Sequence, residues 1–163
     1  MKIETLRELL IDELQDLHSA EQQITKALPK LAKTAHDPNL KKAFEHHLEE
    51  TRNHVTRLEQ IFKRLKEEPK GKTCEAMKGL LKEGEERISD GGEAEVLDAG
   101  LIAAAQRVEH YEIAAYGSAR TYAELLGEQE AVRLLGETLA EEKAADAKLT
   151  QVAKSVNVEA KAA

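Results

Sequence analysis

Four stretches of this chain carry apolar residues at steps of three and four, the spacing of one buried helix face, and acids interrupt each stretch near its middle. The first runs Ile3, Leu6, Leu10, Leu14, Leu17, Glu21, Ile24, Leu28, Leu31, and the second Ala43, His47, Glu50, His54, Leu58, Ile61, Leu65. The third runs Leu97, Leu101, Ala105, Val108, Glu112, Tyr116, Ala119, Ala123, Leu126, and the fourth Val132, Leu135, Leu139, Glu142, Asp146, Leu149, Ala153, Val156. A chain of 163 residues is one domain's length, so one helical core must take up all four stripes and bring their charges indoors together. Bare buried carboxylates each cost several kcal/mol, and five of them would outweigh the ~5 to 15 kcal/mol that keeps a domain folded. Such an interior needs compensating positive charge.

Breakers at Asp37-Pro38-Asn39, Glu68-Pro69-Lys70-Gly71, Asp90-Gly91-Gly92 and Gly127 cut the chain into helical segments near 3 to 35, 39 to 66, 74 to 89, 94 to 126 and 128 to 156. Pro38 suits a first helical turn and Thr73 an N-cap, while Pro29 removes one backbone hydrogen bond and predicts a kink. Glu21 and Glu112 lie 91 residues apart, and Glu50 and Glu142, like His54 and Asp146, lie 92 apart, the mark of a duplicated helix pair. Short turns inside each pair make its helices antiparallel neighbours. Met77, Leu81, Gly84 and Ile88 stripe the segment 74–89, which should lie in the crossover against the bundle. The expectation is an all-α, antiparallel four-helix bundle over residues 1–156, with a flexible tail at 157–163.

Lys and Arg total 24 against 31 for Asp and Glu, a balance of −7 that lacks the basic surplus nucleic-acid binding requires. No run approaches the ~20 apolar residues of a membrane span, and the first residues lack a signal peptide's apolar core. The single cysteine, Cys74, permits neither an internal disulfide nor a Cys-x-x-Cys motif. A cytoplasmic protein, bound to neither membrane nor nucleic acid, is expected.

Glu21, Glu50, Glu112, Glu142, Asp146 and His54 together make a metal-site inventory. Few basic residues face inward, with Arg52 and Arg107 the ones able to reach. Carboxylates with one imidazole and no thiolate suit iron or manganese over structural zinc or copper(I), and the ligand count calls for two ions. Two one-electron metals held by shared carboxylates can perform two-electron chemistry on oxygen or peroxide.

A lone Glu on the first helix of each pair, with a Glu and a second ligand on the other, resembles the ferritin-like di-iron carboxylate proteins. More narrowly, Leu17-His18-Ser19-Ala20-Glu21, Glu49-Glu50-Thr51, Cys74-Glu75-Ala76-Met77-Lys78-Gly79, Glu109-His110-Tyr111-Glu112 and Glu141-Glu142-Lys143-Ala144-Ala145-Asp146 look like the YciF-type bacterial stress-response proteins. The resemblance covers nearly the whole chain. It implies Glu21 and Glu112 as lone ligands, Glu50 with His54 and Glu142 with Asp146 as paired ones, and a role in stress. The broad di-iron pattern spaces its pair by three, whereas both pairs here are spaced by four, and Asn53 and Ala145 stand at plus three. A π-bulge at Thr51 to Asn53 would restore the direction.

Other residues have two readings. Asp16, Glu109 and Tyr116 are candidates to orient a ligand, although Tyr116 reads more simply as core. His18, His46, His47 and His110 read as surface or supporting groups and His36 as a helix-end residue. Cys74 opens a helix, where the macrodipole lowers a thiol's pKa, but capping or packing is the simpler role. The leading functional expectation is an oxidoreductase of ferroxidase, peroxidase or manganese catalase-like type, with two iron or manganese ions per chain. The other is a metal-stabilised, non-catalytic bundle acting as a stress or partner-binding protein, and a homodimer is the expected assembly. A storage shell is disfavoured because the chain ends soon after its fourth long helix, and a rubredoxin-like module is excluded by the single cysteine.

Overall fold

A computed structural model describes residues 2–69 and 71–163. These described residues form five helices and no strand: α1 (Leu6–Thr34), α2 (Pro38–Leu65), α3 (Glu75–Asp90), α4 (Ala94–Leu125) and α5 (Gln129–Ala162). Among them no helix is long and apolar enough to cross a membrane.

Local chemistry sets most boundaries. Thr5 caps α1 by accepting from the Glu8 amide at 3.1 Å, while the Glu8 carboxylate accepts from the Thr5 amide at 2.9 Å. Ile3 therefore precedes the helix and is left exposed. Pro29 is carried inside α1, which continues to Thr34. Asp37 caps α2 with Pro38 in the first turn, and Lys66 ends it with φ 58°. At α3 the N-cap is Cys74 and not Thr73, its sulfur accepting from the Met77 amide at 3.4 Å. The fifth helix does not stop near residue 156 but runs on to Ala162. Its last buried side chain is Val156, so the final turns extend past the core.

Three-residue links fold α2 back on α1 and α5 back on α4. The two pairs then close a ring, α2 against α5 and α1 against α4, while α3 packs on α4 and α1. At Gly84 α3 comes close to α4, although a Cβ there would meet the Ala104 methyl only at an ordinary contact distance of 3.7 Å. Asp98, buried on α4, fixes the α1–α2 turn by accepting from the His36 amide at 3.0 Å and the Asp37 amide at 2.6 Å. No periodicity argument pointed to Asp98, because it satisfies a turn's backbone and not a stripe.

The apolar interior comes in two parts. One contains Leu10, Leu14, Leu17, Leu58, Phe62, Ala119 and Leu135, and the other Ile24, Leu28, Phe44, Leu101, Val108, Leu149 and Val152. Between them, at the middles of the four long helices, lies a buried polar layer.

Candidate metal centre

Glu21 from α1, His54 from α2, Glu112 from α4 and Glu142 from α5 are wholly buried in that layer. Two groups of donor atoms form, each with its members within 4.8 Å of one another: Glu21, His54 and Glu142, and His47, Glu109, Glu112 and Glu142. Glu142 is common to both. Ligand bonds of ~2.0 to 2.2 Å place donors about 3 to 4.4 Å apart around one ion, so small side-chain movements would close each group on a cation.

The polar atoms show what is missing. Glu21 Oε2, His47 Nε2, His54 Nδ1, Glu109 Oε2 and both carboxylate oxygens of Glu112 and Glu142 are buried with no hydrogen-bond partner. Buried groups are normally satisfied, and orphan atoms concentrated on one layer fit a missing cation. His54 Nδ1 stands 2.9 Å from Glu142 Oε1 and 3.2 Å from Glu21 Oε1. His47 Nε2 stands 3.3 Å from Glu109 Oε1 and 3.6 Å from Glu142 Oε2.

The electrostatics agree. Burial, and then the neighbouring carboxylates, push Glu112 well above the ordinary range; burial does the same to Glu109 and, more mildly, to Glu142 against the opposing pull of His54. Burial opposes the His54 imidazolium, but Glu142 and Glu21 outweigh it and raise its pKa to about 11. Without metal, the layer thus gathers protons. Two divalent ions would replace them, since their four positive charges match the four carboxylates Glu21, Glu109, Glu112 and Glu142.

Several groups around the layer hold its ligands in place. His54 Nε2 lies 2.8 Å from Glu141 Oε2, leaving Nδ1 turned inward. Glu141 is itself gripped by both Arg57 amines, at 2.5 and 2.9 Å, and Arg57 also donates to Thr138 at 3.2 Å. A carboxylate behind a ligating histidine fixes its tautomer and ring orientation. The inward-reaching arginine is Arg57; Arg52 and Arg107 are exposed. Tyr116, fully buried, donates its hydroxyl to Glu21 Oε1, so it orients that carboxylate as well as filling the core.

Four of the six ligands expected from the stripes thus converge, and two do not. Glu50 remains partly exposed, with His46 and His47 nitrogens each 3.4 Å from its Oε2. Asp146 accepts from Gln106 at 3.1 Å and faces His110 at 3.3 Å, outside both groups. The buried stripe of α2 passes through His47, Thr51, His54 and Leu58. Glu50 sits about 40° off the His54 direction and about 60° off that of His47. On α5 the stripe passes through Leu135, Thr138, Glu142 and Leu149; Ala145 and Asp146 flank its line on opposite sides, each about 50° off it and only partly buried. Residues 51–53 are ordinary α-helix, with no π-bulge.

His47 and Glu109 take the two places. His47 is 5% exposed and Glu109 3%, so neither is the surface group that an isolated histidine suggests. Both had a signal: His47 lies seven residues before His54, two turns less about 20°, and Glu109 lies one turn before Glu112. The repeat does not predict them, because the residues at matching offsets are Leu139 and His18. Asp16 lies outside the two groups. It accepts from the Tyr111 hydroxyl, which contacts Cys74 Sγ at 3.1 Å. Burial, with Asp16, pushes the Cys74 thiol up, overriding the helix N-terminus. Cys74 caps and packs.

The sequence profile of a family described as "Domain of unknown function (DUF892)" matches residues 5–163. Protein YciF of Escherichia coli (strain K12) is 47% identical over 161 residues, covering 94% of this chain and 93% of that protein. The crystal structure of the E. coli stress protein YciF superposes with a TM-score of 0.92 at 46% identity, covering 94% of this chain and 98% of that one. YcfI from Rhodopseudomonas palustris gives a TM-score of 0.88 at 47% identity, covering 91% and 95%. A protein from Xanthomonas campestris shares the fold alone, with a TM-score of 0.76 at 21% identity over 94% of each chain.

Proposed function

The chain belongs to the DUF892 family, with E. coli YciF as a relative over nearly its whole length, and from that footing we propose that it is a non-haem di-metal carboxylate protein. In this reading the helices form a ferritin-like four-helix bundle whose polar layer takes two iron or manganese ions, and the protein reacts with oxygen or peroxide in the cytoplasm under stress. The observation that carries it is the set of orphaned buried donor atoms in two groups joined by Glu142. The stress role is taken from the E. coli relative, which is described as a stress protein.

When bound, the metal pair supplies redox-active, Lewis-acidic centres. Everything else is done by the chain. Glu21 and His54 would hold one ion and His47, Glu109 and Glu112 the other, with Glu142 between them. Glu141 holds the His54 tautomer, and Arg57 keeps Glu141 ionised and in place. The Tyr116 hydroxyl fixes the Glu21 carboxylate and keeps its proton, since burial and then Glu21 and Glu112 drive its pKa well above the phenol range. The two apolar halves pack on either side of the layer. Cys74 is enclosed and no second cysteine exists, so reducing electrons come from an outside donor.

The test is to strip the protein with chelator, reload it anaerobically with Fe(II) or Mn(II), and measure bound metal, oxygen uptake and peroxide loss. Two ions per chain with repeated turnover supports the oxidoreductase. Two ions with a raised melting temperature and no turnover assigns the metals a structural role, which would suit a dimeric partner-binding protein. Failure to bind either ion overturns both readings.

A further inference from the structure

A cavity of about 430 Å³ adjoins the polar layer, between α1, α2, α4 and α5. Its wall is apolar, built from residues such as Ile24, Leu28, Val108 and Leu149. Ala145 of α5 is part of that lining, where a larger side chain would take up the space. At one side it is lined by His47 and Glu109, whose Nε2 and Oε2 atoms are buried and unpartnered. At its exposed edge stand Lys42 and Lys148, and neither is ion-paired among the described residues. The acid at that edge, Glu50, already faces His46 and His47.

A space of this size, with a mostly apolar wall and a few polar groups, has the form of a small-molecule site. The free cations are at the mouth, so the head group they would accept is an anion. We propose that the cavity binds an amphiphilic carboxylate, its head held by Lys42 and Lys148 and its alkyl chain lying on the apolar wall toward His47 and Glu109. The binding needs no metal.

The test uses the full, chelator-stripped chain titrated with decanoate and with decylamine, followed by calorimetry and alanine-methyl NMR. Decanoate should saturate at least about tenfold more tightly than decylamine and shift the Ala105 and Ala145 methyl signals. Ala145→Phe should weaken decanoate more than about tenfold while metal content and fold, checked by circular dichroism, stay unchanged. The double variant Lys42→Glu, Lys148→Glu, altered only at exposed positions, should reverse the preference toward decylamine. No binding of either probe, equal binding of both, or insensitivity to the lysine changes would overturn the proposal. Should Ala145→Phe prove misfolded, the lysine reversal decides alone. Metal content measured in parallel separates the two readings: metal without decanoate binding sinks this site only, and decanoate binding without metal sinks the metal centre only.

Discussion

Replacing Glu112 by glutamine should move the metal-free and metal-loaded protein in opposite directions. In the metal-free chain both Glu112 oxygens are buried without partners, facing Glu142, Glu21 and Glu109. Glutamine has the same shape, carries no charge and presents two N–H donors to those carboxylates. Removing the cost of holding a proton on this buried carboxyl at neutral pH, and pairing its orphaned atoms with N–H donors, is worth ~1 to 3 kcal/mol. In a domain of this size ~1 kcal/mol moves Tm by ~2 to 4 °C, so the metal-free variant should melt about 2 to 12 °C above the wild type at neutral pH. With metal the order reverses. Ion at ~100 to 1,000 times its Kd adds ~2.7 to 4.1 kcal/mol to the wild type, or about 5 to 16 °C, and most of that is lost when a ligand is removed. Calorimetric scans with chelator and with excess Mn(II) measure both arms. If Glu112→Gln melts below the wild type in chelator and gains as much from Mn(II), Glu112 is an ordinary packed side chain and the charge argument fails.

Glu141→Gln should weaken metal binding by about 10- to 100-fold, the usual effect of losing the partner behind a ligating histidine, as read by competition with a colorimetric chelator; an unchanged affinity would remove Glu141 from the account. The elevated pKa values of Glu109, Glu112 and Glu142 mean that the folded state holds protons the unfolded chain has released. Their contribution is therefore lost as pH rises above the ordinary carboxylate pKa of 4.5. The Tm of the metal-free protein should fall from about pH 5 to about pH 8 while metal affinity rises as ligand protons are released; a metal-free Tm that climbs across this range would contradict it. Asp98→Ala should cost ~1 to 3 kcal/mol in urea unfolding, because the backbone amides of His36 and Asp37 in the α1–α2 turn lose their acceptor, with no change in metal content.

The helices and the polar layer were legible in the sequence because both depend on one periodicity. Acids on an apolar stripe have to meet when the stripes pack, and Glu21, His54, Glu112 and Glu142 do. The finer choice between neighbours a few tens of degrees apart was not legible. Glu50 and Asp146 were favoured by residue type and by the repeat, yet the packing line of α2 runs through His47, and Asp146 lies about 50° to one side of the α5 line, turned to Gln106 and His110. The two halves of the chain share their helices but not the polar side chains they bring to the layer. The α3 cap moved from Thr73 to Cys74 because a buried sulfur can accept the Met77 amide, and α5 outlasted its apolar pattern since Ala, Glu and Lys favour helix without burial. Among the described residues five acids are buried, but they are not the five expected from the stripes: Glu109 and Asp98 are buried where Glu50 and Asp146 are not, and Asp98 serves a turn.

Glu142 belongs to both donor groups, and metal stoichiometry in Glu142→Ala therefore tests the centre most directly. Elemental analysis after anaerobic loading and desalting should find about two iron or manganese ions per wild-type chain and close to none in Glu142→Ala, with Asp146→Ala and Glu50→Ala still holding two. A wild-type chain that retains no metal, or a Glu142→Ala chain that retains both ions, would contradict the account.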